Sequence, residues 1–185
     1  MLQLWPLQAK PQVKMPKLQS EIQAFLQISA YLRGLLEDTL RKANLSGTLS
    51  DMVTASLANH SRSLTQNTYH NGHPDLIVQG KYANDSIKSG EAGVEIKTTL
   101  KKGGAVDTHG ARDQWLCVFV YKADNVTEPA IDRSPLKFTE VYLSHVAVGD
   151  FRRNERGELG TRTATLHKEG IEKLRSNWVY LDLDS

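Results

Sequence analysis

Two kinds of hydrophobic spacing divide this chain, and the change between them falls near residue 72. Before it, Leu18, Ile22, Phe25, Leu32, Leu36 and Leu40 recur at helical intervals, and Asn44 with Gly47 supplies a stop. Thr48 with Asp51 three residues on reads as a capping-box-like start for a second helix, which carries Leu49, Met52, Val53 and Leu57 and ends near Asn59. After the turn signal Asn71-Gly72 the period falls towards two. Strands are expected over residues 76–82, 93–98, 115–121, 138–148 and 178–183, with a helix over Lys168–Ser176 between the last two. Helices first and strands afterwards predict an α/β or α+β layer architecture, in which a central mixed β-sheet is flanked by helices and 18–60 forms an N-terminal helical segment. One connection is awkward. Residues 99–114 contain Gly103, Gly104 and Gly110, so only a short helix fits there.

Residues 1–17 hold Pro6, Pro11 and Pro16 among Lys10, Lys14 and Lys17, with no acid. Proline fixes φ and removes a donor, so this segment reads as an extended arm. It lies along a partner subunit or a phosphate backbone, or it is a tail pinned by Leu2, Leu4 and Trp5. At 185 residues with 39% hydrophobic content, the chain can bury a sizeable core as a single domain over 1–185, whereas two domains would each be small. A formal net charge of +2 and a pI near 8.6 permit a nucleic-acid partner without arguing for one. The one cysteine, Cys117, sits in an apolar run and reads as a small buried hydrophobe. A single thiol also excludes an intrachain disulfide framework or cysteine zinc site. No apolar stretch reaches membrane-spanning length, so a reducing, cytoplasmic protein without a membrane partner is expected.

The chemistry-bearing residues gather just after the change of period. Pro74-Asp75 opens the apolar run Leu76-Ile77-Val78, and twenty residues beyond the aspartate comes Val94-Glu95-Ile96-Lys97. Successive side chains of a strand alternate faces, which puts Glu95 and Lys97 on one polar side while Val94, Ile96 and Thr98 turn to a core. With Asp75 at the end of a neighbouring strand, two carboxylates and an ammonium converge. Such oxygens, with the Ile96 carbonyl as a further ligand, suit a hard divalent cation such as Mg²⁺, which in turn stabilises a phosphodiester under attack. Lys97 is suited to orient the attacking water and to neutralise charge on the scissile phosphate. The plainer alternative makes Asp75 a turn residue after proline, and Glu95 with Lys97 a surface pair on an edge strand.

Both halves of this pattern resemble the signature of the PD-(D/E)xK nuclease superfamily, the restriction-endonuclease-like fold. Pro74-Asp75 matches the first half, Glu95-Ile96-Lys97 the second, and neither half occurs elsewhere in the chain. The resemblance implies a core of a helix, three strands, a second helix and a further strand, with 73–121 as the catalytic core and 138–185 as a strand-helix-strand end. It also implies Asp75, Glu95 and Lys97 as catalytic residues, with Mg²⁺, replaceable by Mn²⁺, held by Asp75, Glu95 and the Ile96 carbonyl. The implied substrate is DNA, double-stranded in the simplest case, cut to leave 5′-phosphate ends. Some members add a carboxylate from the first helix, for which Glu37 or Glu21 is the candidate unless each is a solvated helix-face residue. The chain is most similar to a small type II restriction endonuclease. A subunit with one active site that cuts two strands implies a homodimer. Two alternatives stay open: a structure-specific, repair or nicking nuclease, and a non-catalytic nucleic-acid-binding module of the same fold.

Other polar residues near the motif have two readings each. His73 precedes Pro74-Asp75, and His70 lies three residues earlier. With Asp75 they make a histidine-based metal set on paper, as a metallohydrolase of small phosphoesters would need; otherwise His73 hydrogen-bonds beside the site or faces solvent. Lys101, Lys102, His109 and Arg112 surround Gly103-Gly104, which reads as a phosphate-contact loop whose glycines permit close backbone approach, or as an exposed linker. Arg152 and Arg153, with Arg156, form a basic turn able to grip DNA phosphates, or plain solvated surface.

Overall fold

The computed structural model describes residues 42–153 and 163–183. The arm at 1–17, the helix expected over 18–40 with Glu21 and Glu37, and Arg156 lie outside the described residues. The chain divides into two compact units, one of Met1–Thr39 with Asn125–Arg133 and one of Leu40–Asp124 with Ser134–Ser185. In the first, the buried Arg133 guanidinium meets the Glu128 carboxylate and the Thr127 carbonyl. The second carries the candidate site.

Along the second unit run α1 (Lys42–His60), β1 (Leu64–Gln66), β2 (Leu76–Val78), β3 (Gly93–Thr99), β4 (Asp107–Thr108), β5 (Gln114–Lys122), β6 (Lys137–Val146), β7 (Phe151–Arg153), β8 (Ala164–Leu166), α2 (Lys168–Ser176) and β9 (Trp178–Leu181). A six-stranded mixed sheet has the order β1-β2-β3-β5-β6-β9, and a small sheet has the order β4-β8-β7. Within the large sheet β3 and β5 are parallel and every other neighbour is antiparallel. This is the expected mixed α/β architecture. Both faces of its centre are covered. On one face Leu76, Ile96 and Cys117 pack with Val53 and Ala58 of α1; on the other Leu116, Val118, Val120 and Tyr142 pack with Phe151, Leu166 and Leu174. A strand covered on both faces needs apolar residues at successive positions, which is why β5 reads as an unbroken apolar run. Cys117 is a small hydrophobe in this core, its thiol pushed up to about 12 by burial.

Four expectations are corrected. The helix break at Asn44 and Gly47 is absent, because α1 runs through both to His60. Thr48, expected as a cap, donates its hydroxyl to the Asn44 carbonyl at 3.0 Å, the back-bond of a mid-helix threonine. The face of α1 turned to the sheet uses small polar residues: Ser46 Oγ meets Tyr121 Oη at 2.8 Å, and Thr98 Oγ1 donates to the Ser46 carbonyl at 2.6 Å. Second, the strand expected over 76–82 stops at Val78, where Gly80 turns the chain with φ +71°. Third, no helix forms between β3 and β5; the crossover is a loop whose β4 pairs with β8 instead. Fourth, the strand expected to reach residue 148 ends at Val146.

Gly93 sets the spacing of the two strands that carry the acids. A Cβ there would lie 2.0 Å from the Leu76 carbonyl oxygen and 2.6 Å from Pro74 Cγ. Gly93→Ala must therefore push β2 away from β3. We expect it to destabilise the protein by about 2–4 kcal/mol, as steric conflicts with backbone do, read as a lowered denaturation midpoint in urea.

Candidate active site

The β2–β3 ladder brings the acids together by ending early. Its register pairs Leu76 with Val94 and Ile77 with Gly93, so its continuation sets Asp75 opposite Glu95 and Pro74 opposite Ile96. β2 has no residue beyond Leu76 to take the Ile96 N–H. The Asp75 side chain takes it, with Oδ2 accepting from Ile96 N at 2.8 Å. A carboxylate thereby replaces a ladder carbonyl and is held at the strand end.

The segment before Asp75 is pinned by residues that sequence reasoning passed over. Asn67 Nδ2 donates to the Pro74 carbonyl at 3.0 Å and the Ile87 carbonyl at 2.8 Å, and its Oδ1 accepts from the N–H groups of Ile87 and Tyr69, each at 3.1 Å. Asn67 N also donates to the Asp75 carbonyl at 2.9 Å. On the other side His73 exchanges backbone hydrogen bonds with Lys88 and Gly90. An asparagine that satisfies two donors and acceptors at once fixes a loop as rigidly as a strand pair does. The signal in the sequence was only the polar run that β1 turned out to occupy.

Glu95 is not on a solvated face. It is 6% exposed, on the same side of the sheet as Leu116 and Val118, which pair with Glu95 and Lys97. A buried carboxylate needs partners. Glu95 has two: His73 Nδ1 lies 2.8 Å from Oε2, and Lys97 Nζ donates to Oε1 at 2.5 Å. Burial by itself would raise its pKa, but the hydrogen bond to His73 and the Lys97 charge outweigh that and hold the carboxyl down at about 2. Asp75 goes the opposite way. Burial first and the Glu95 charge second push it up to about 6, against the pull of Lys97. Two carboxylates facing one site are thus driven apart in pKa, a pattern common at functional sites.

The Lys97 ammonium sits among the oxygens expected to hold a cation. Its Nζ lies 2.5 Å from Glu95 Oε1, 3.2 Å from the Ile96 carbonyl and 3.9 Å from Asp75 Oδ2. The Ile96 carbonyl also accepts from Ser50 Oγ of α1 at 3.1 Å, which fixes its direction. Two carboxylates and a carbonyl around one positive charge are hard donors of the kind Mg²⁺ takes alongside water, so the residues present fit that ion. The histidine-based set does not form. His70 Nε2 contacts Asn71 Nδ2 at 3.3 Å, outside the lining of the cleft, and no group of three or more His, Cys, Asp or Glu side chains able to hold a metal occurs among the described residues. His73 serves Glu95 instead.

The remaining predicted residues separate. His109 and Arg112 line a cleft of about 740 Å³ together with His73, Asp75, Glu95 and Lys97. Lys101 lines the adjoining cleft, where α1 contributes Asp51, an acid that the sequence analysis assigned to a helix cap. Lys102 lines neither, Arg152 faces a separate groove beside α2, and the Arg153 side chain lies outside the described residues. Gly103 and Gly104, with φ of +82° and +76°, make a close approach, but to the protein itself. A Cβ on Gly103 would strike the Arg175 guanidinium and one on Gly104 would lie 3.0 Å from Tyr142. Buried Glu140 accepts from Gly103 N at 2.8 Å and from Tyr142 Oη at 2.7 Å, completing the anchor of this turn.

No family model, curated protein or solved structure significantly matches the chain. No helix among the described residues is long and apolar enough to cross a membrane.

Proposed function

We propose that this protein is a Mg²⁺-dependent DNA endonuclease of the PD-(D/E)xK type, acting as a homodimeric type II restriction enzyme. The reading is supported above all by one observation: Asp75, Glu95 and the Ile96 carbonyl converge on a single cationic centre, now the Lys97 ammonium, in an open cleft. Asp75, Glu95 and the Ile96 carbonyl would hold a Mg²⁺ ion, which when bound would supply Lewis acidity to the phosphodiester and to the attacking water. His73 keeps the Glu95 carboxylate oriented through its 2.8 Å contact. Lys97 offers its charge to the scissile phosphate and its N–H donors to the attacking water. The water oxygen forms the new bond to phosphorus, the bond to the 3′ oxygen breaks, and that oxygen takes up a proton. The products are a 5′-phosphate and a 3′-hydroxyl.

Supercoiled plasmid and phage DNA incubated with Mg²⁺ should give discrete fragments, with none in EDTA. Lys97→Ala should cut slower by about 10²-fold or more, the scale on which positioned charges act at a reacting phosphate. Nicked circles alone would assign the site to a nicking or structure-specific enzyme. Binding without cleavage under any metal, Mn²⁺ included, would sink the catalytic reading in favour of a binding module.

A further inference from the structure

Two clefts meet at the acids, and both are lined by Asn71, Asp75, Lys97 and His109. Their charge differs. The cleft over α1 adds Lys101 but also Asp51 and Asp107, so its own wall is no more positive than negative. The other adds Lys88 and Arg112, and its only acids are Asp75 and Glu95, which already face Lys97 and His73 at 2.5–3.9 Å. Lys88 and Arg112 form no ion pair among the described residues. A polyanion lowers its energy along the wall where positive charge is unspent.

A second, independent feature lies in the same wall. Gln114 is 5% exposed, and its Nε2 is the only buried side-chain polar atom among the described residues without a hydrogen bond. Folded proteins keep few such donors, because leaving one unmade costs stability. Topology puts these groups on either side of β3. Lys88 precedes Ser89, which bridges to His73 at the β2 side, while Arg112 leads into β5 on the other and Gln114 opens that strand.

We propose that this cleft, and not the one over α1, holds a backbone phosphate of the nucleic acid next to the scissile one, with Lys88 and Arg112 gripping its oxygens from the two sides of β3 and the Gln114 carboxamide donating from the floor. The assignment rests on the nuclease reading and adds to it the path of the strand through the site. Phosphate oxygens accept from charged and neutral donors alike and carry no sequence information, so this subsite positions the strand and leaves base readout to other residues.

The test is the anisotropy of a fluorescein-labelled DNA duplex titrated with the full-length protein in EDTA over a series of salt concentrations. Losing one phosphate contact should flatten the plot of log affinity against log salt by about 0.9, which amounts to about eightfold weaker binding at about 0.1 M salt. We expect that change in the double variant Lys88→Ala/Arg112→Ala, and part of it in each single variant, because both cations share one phosphate. Gln114→Met should weaken binding yet raise the melting temperature, since it removes the orphan donor; a purely structural glutamine would lower it. If both cation variants keep the parental slope while the parent binds and cuts DNA, the subsite is wrong and the nuclease reading stands. A loss confined to Lys101→Ala routes the phosphate over α1 and also overturns it. A parent that neither binds nor cuts DNA overturns both.

Discussion

Asp75→Asn is expected to abolish cleavage and, in the same protein, to raise the stability of the metal-free fold. The two effects share one cause. The carboxylate at Asp75 is held against burial and against the Glu95 charge, which push its pKa up to about 6, so the ionised form needed for a metal is the form the fold disfavours. An asparagine keeps the oxygen that accepts from Ile96 N at 2.8 Å and removes the charge. The full shift, from 3.8 to about 6, would convert to about 3 kcal/mol at neutral pH. With 31% of the side chain in solvent, screening leaves up to about 1 kcal/mol as the expected gain. Activity should fall by about 10³-fold or more, since a neutral amide neither neutralises nor holds a divalent cation. Glu95→Gln gives the contrast. Its carboxylate is held down at about 2 by favourable partners, so losing its charge should cost both activity and stability. Thermal melts in EDTA beside plasmid cleavage in Mg²⁺ read both axes. A lower melting temperature in Asp75→Asn would show that the aspartate is a structural ion-pair partner and not a strained ligand.

The parts of this molecule that were legible in sequence are those whose signal is local. The x between Glu95 and Lys97 puts both on one face of any strand, and their convergence with Asp75 was legible from that alternation and the Pro74-Asp75 break. β5 was legible because burial on both faces demands an apolar run, β3 because Val94 and Ile96 alternate with Glu95 and Lys97, and α2 because its two buried residues, Gly170 and Leu174, lie four apart on one face. α1 hid its continuity, since it bonds to the sheet through Ser46 and Ser50, buries Thr54 and carries Met52 outward at 63% exposure. Among the strands of two or three residues, β1, β4, β7 and β8 are too short to show any period, and β2 was legible only because Leu76-Ile77-Val78 is an apolar run. What could not be read was which distant groups would close around the acids. That His73 pairs with Glu95, that Asn67 ties Pro74 to Ile87, and that Gln114 joins the same wall follow from contacts between segments far apart in the chain. Lys101 and Lys102 were grouped by adjacency, but neighbouring residues on a turn point apart, and only Lys101 reaches a cleft beside the acids.

Cleavage and metal-free stability should move in opposite directions between about pH 4 and 6. The sign follows from proton counts, since stability rises with pH where the unfolded chain binds more protons and falls where the folded one does. Asp75 has its folded pKa raised from 3.8 to about 6, so over that window the folded state holds the extra proton and stability from this residue declines as pH rises. Glu95, lowered from 4.5 to about 2, contributes stability that is present above 4.5 and is lost as pH falls through the folded value. The two groups together favour the metal-free fold most strongly near pH 4, where the proposed catalyst is least competent. A metal reverses the Asp75 contribution, because a cation and a proton compete for the same oxygens. Below about pH 6 the apparent Mg²⁺ affinity should therefore fall about tenfold per pH unit. Cleavage rates followed from acid to neutral pH at two Mg²⁺ concentrations provide the check. A tenfold increase in Mg²⁺ should carry the acidic limb of the profile down by about one pH unit, whereas a limb that stays fixed would mean that the titrating group is not a metal ligand and that Asp75 acts on the substrate directly.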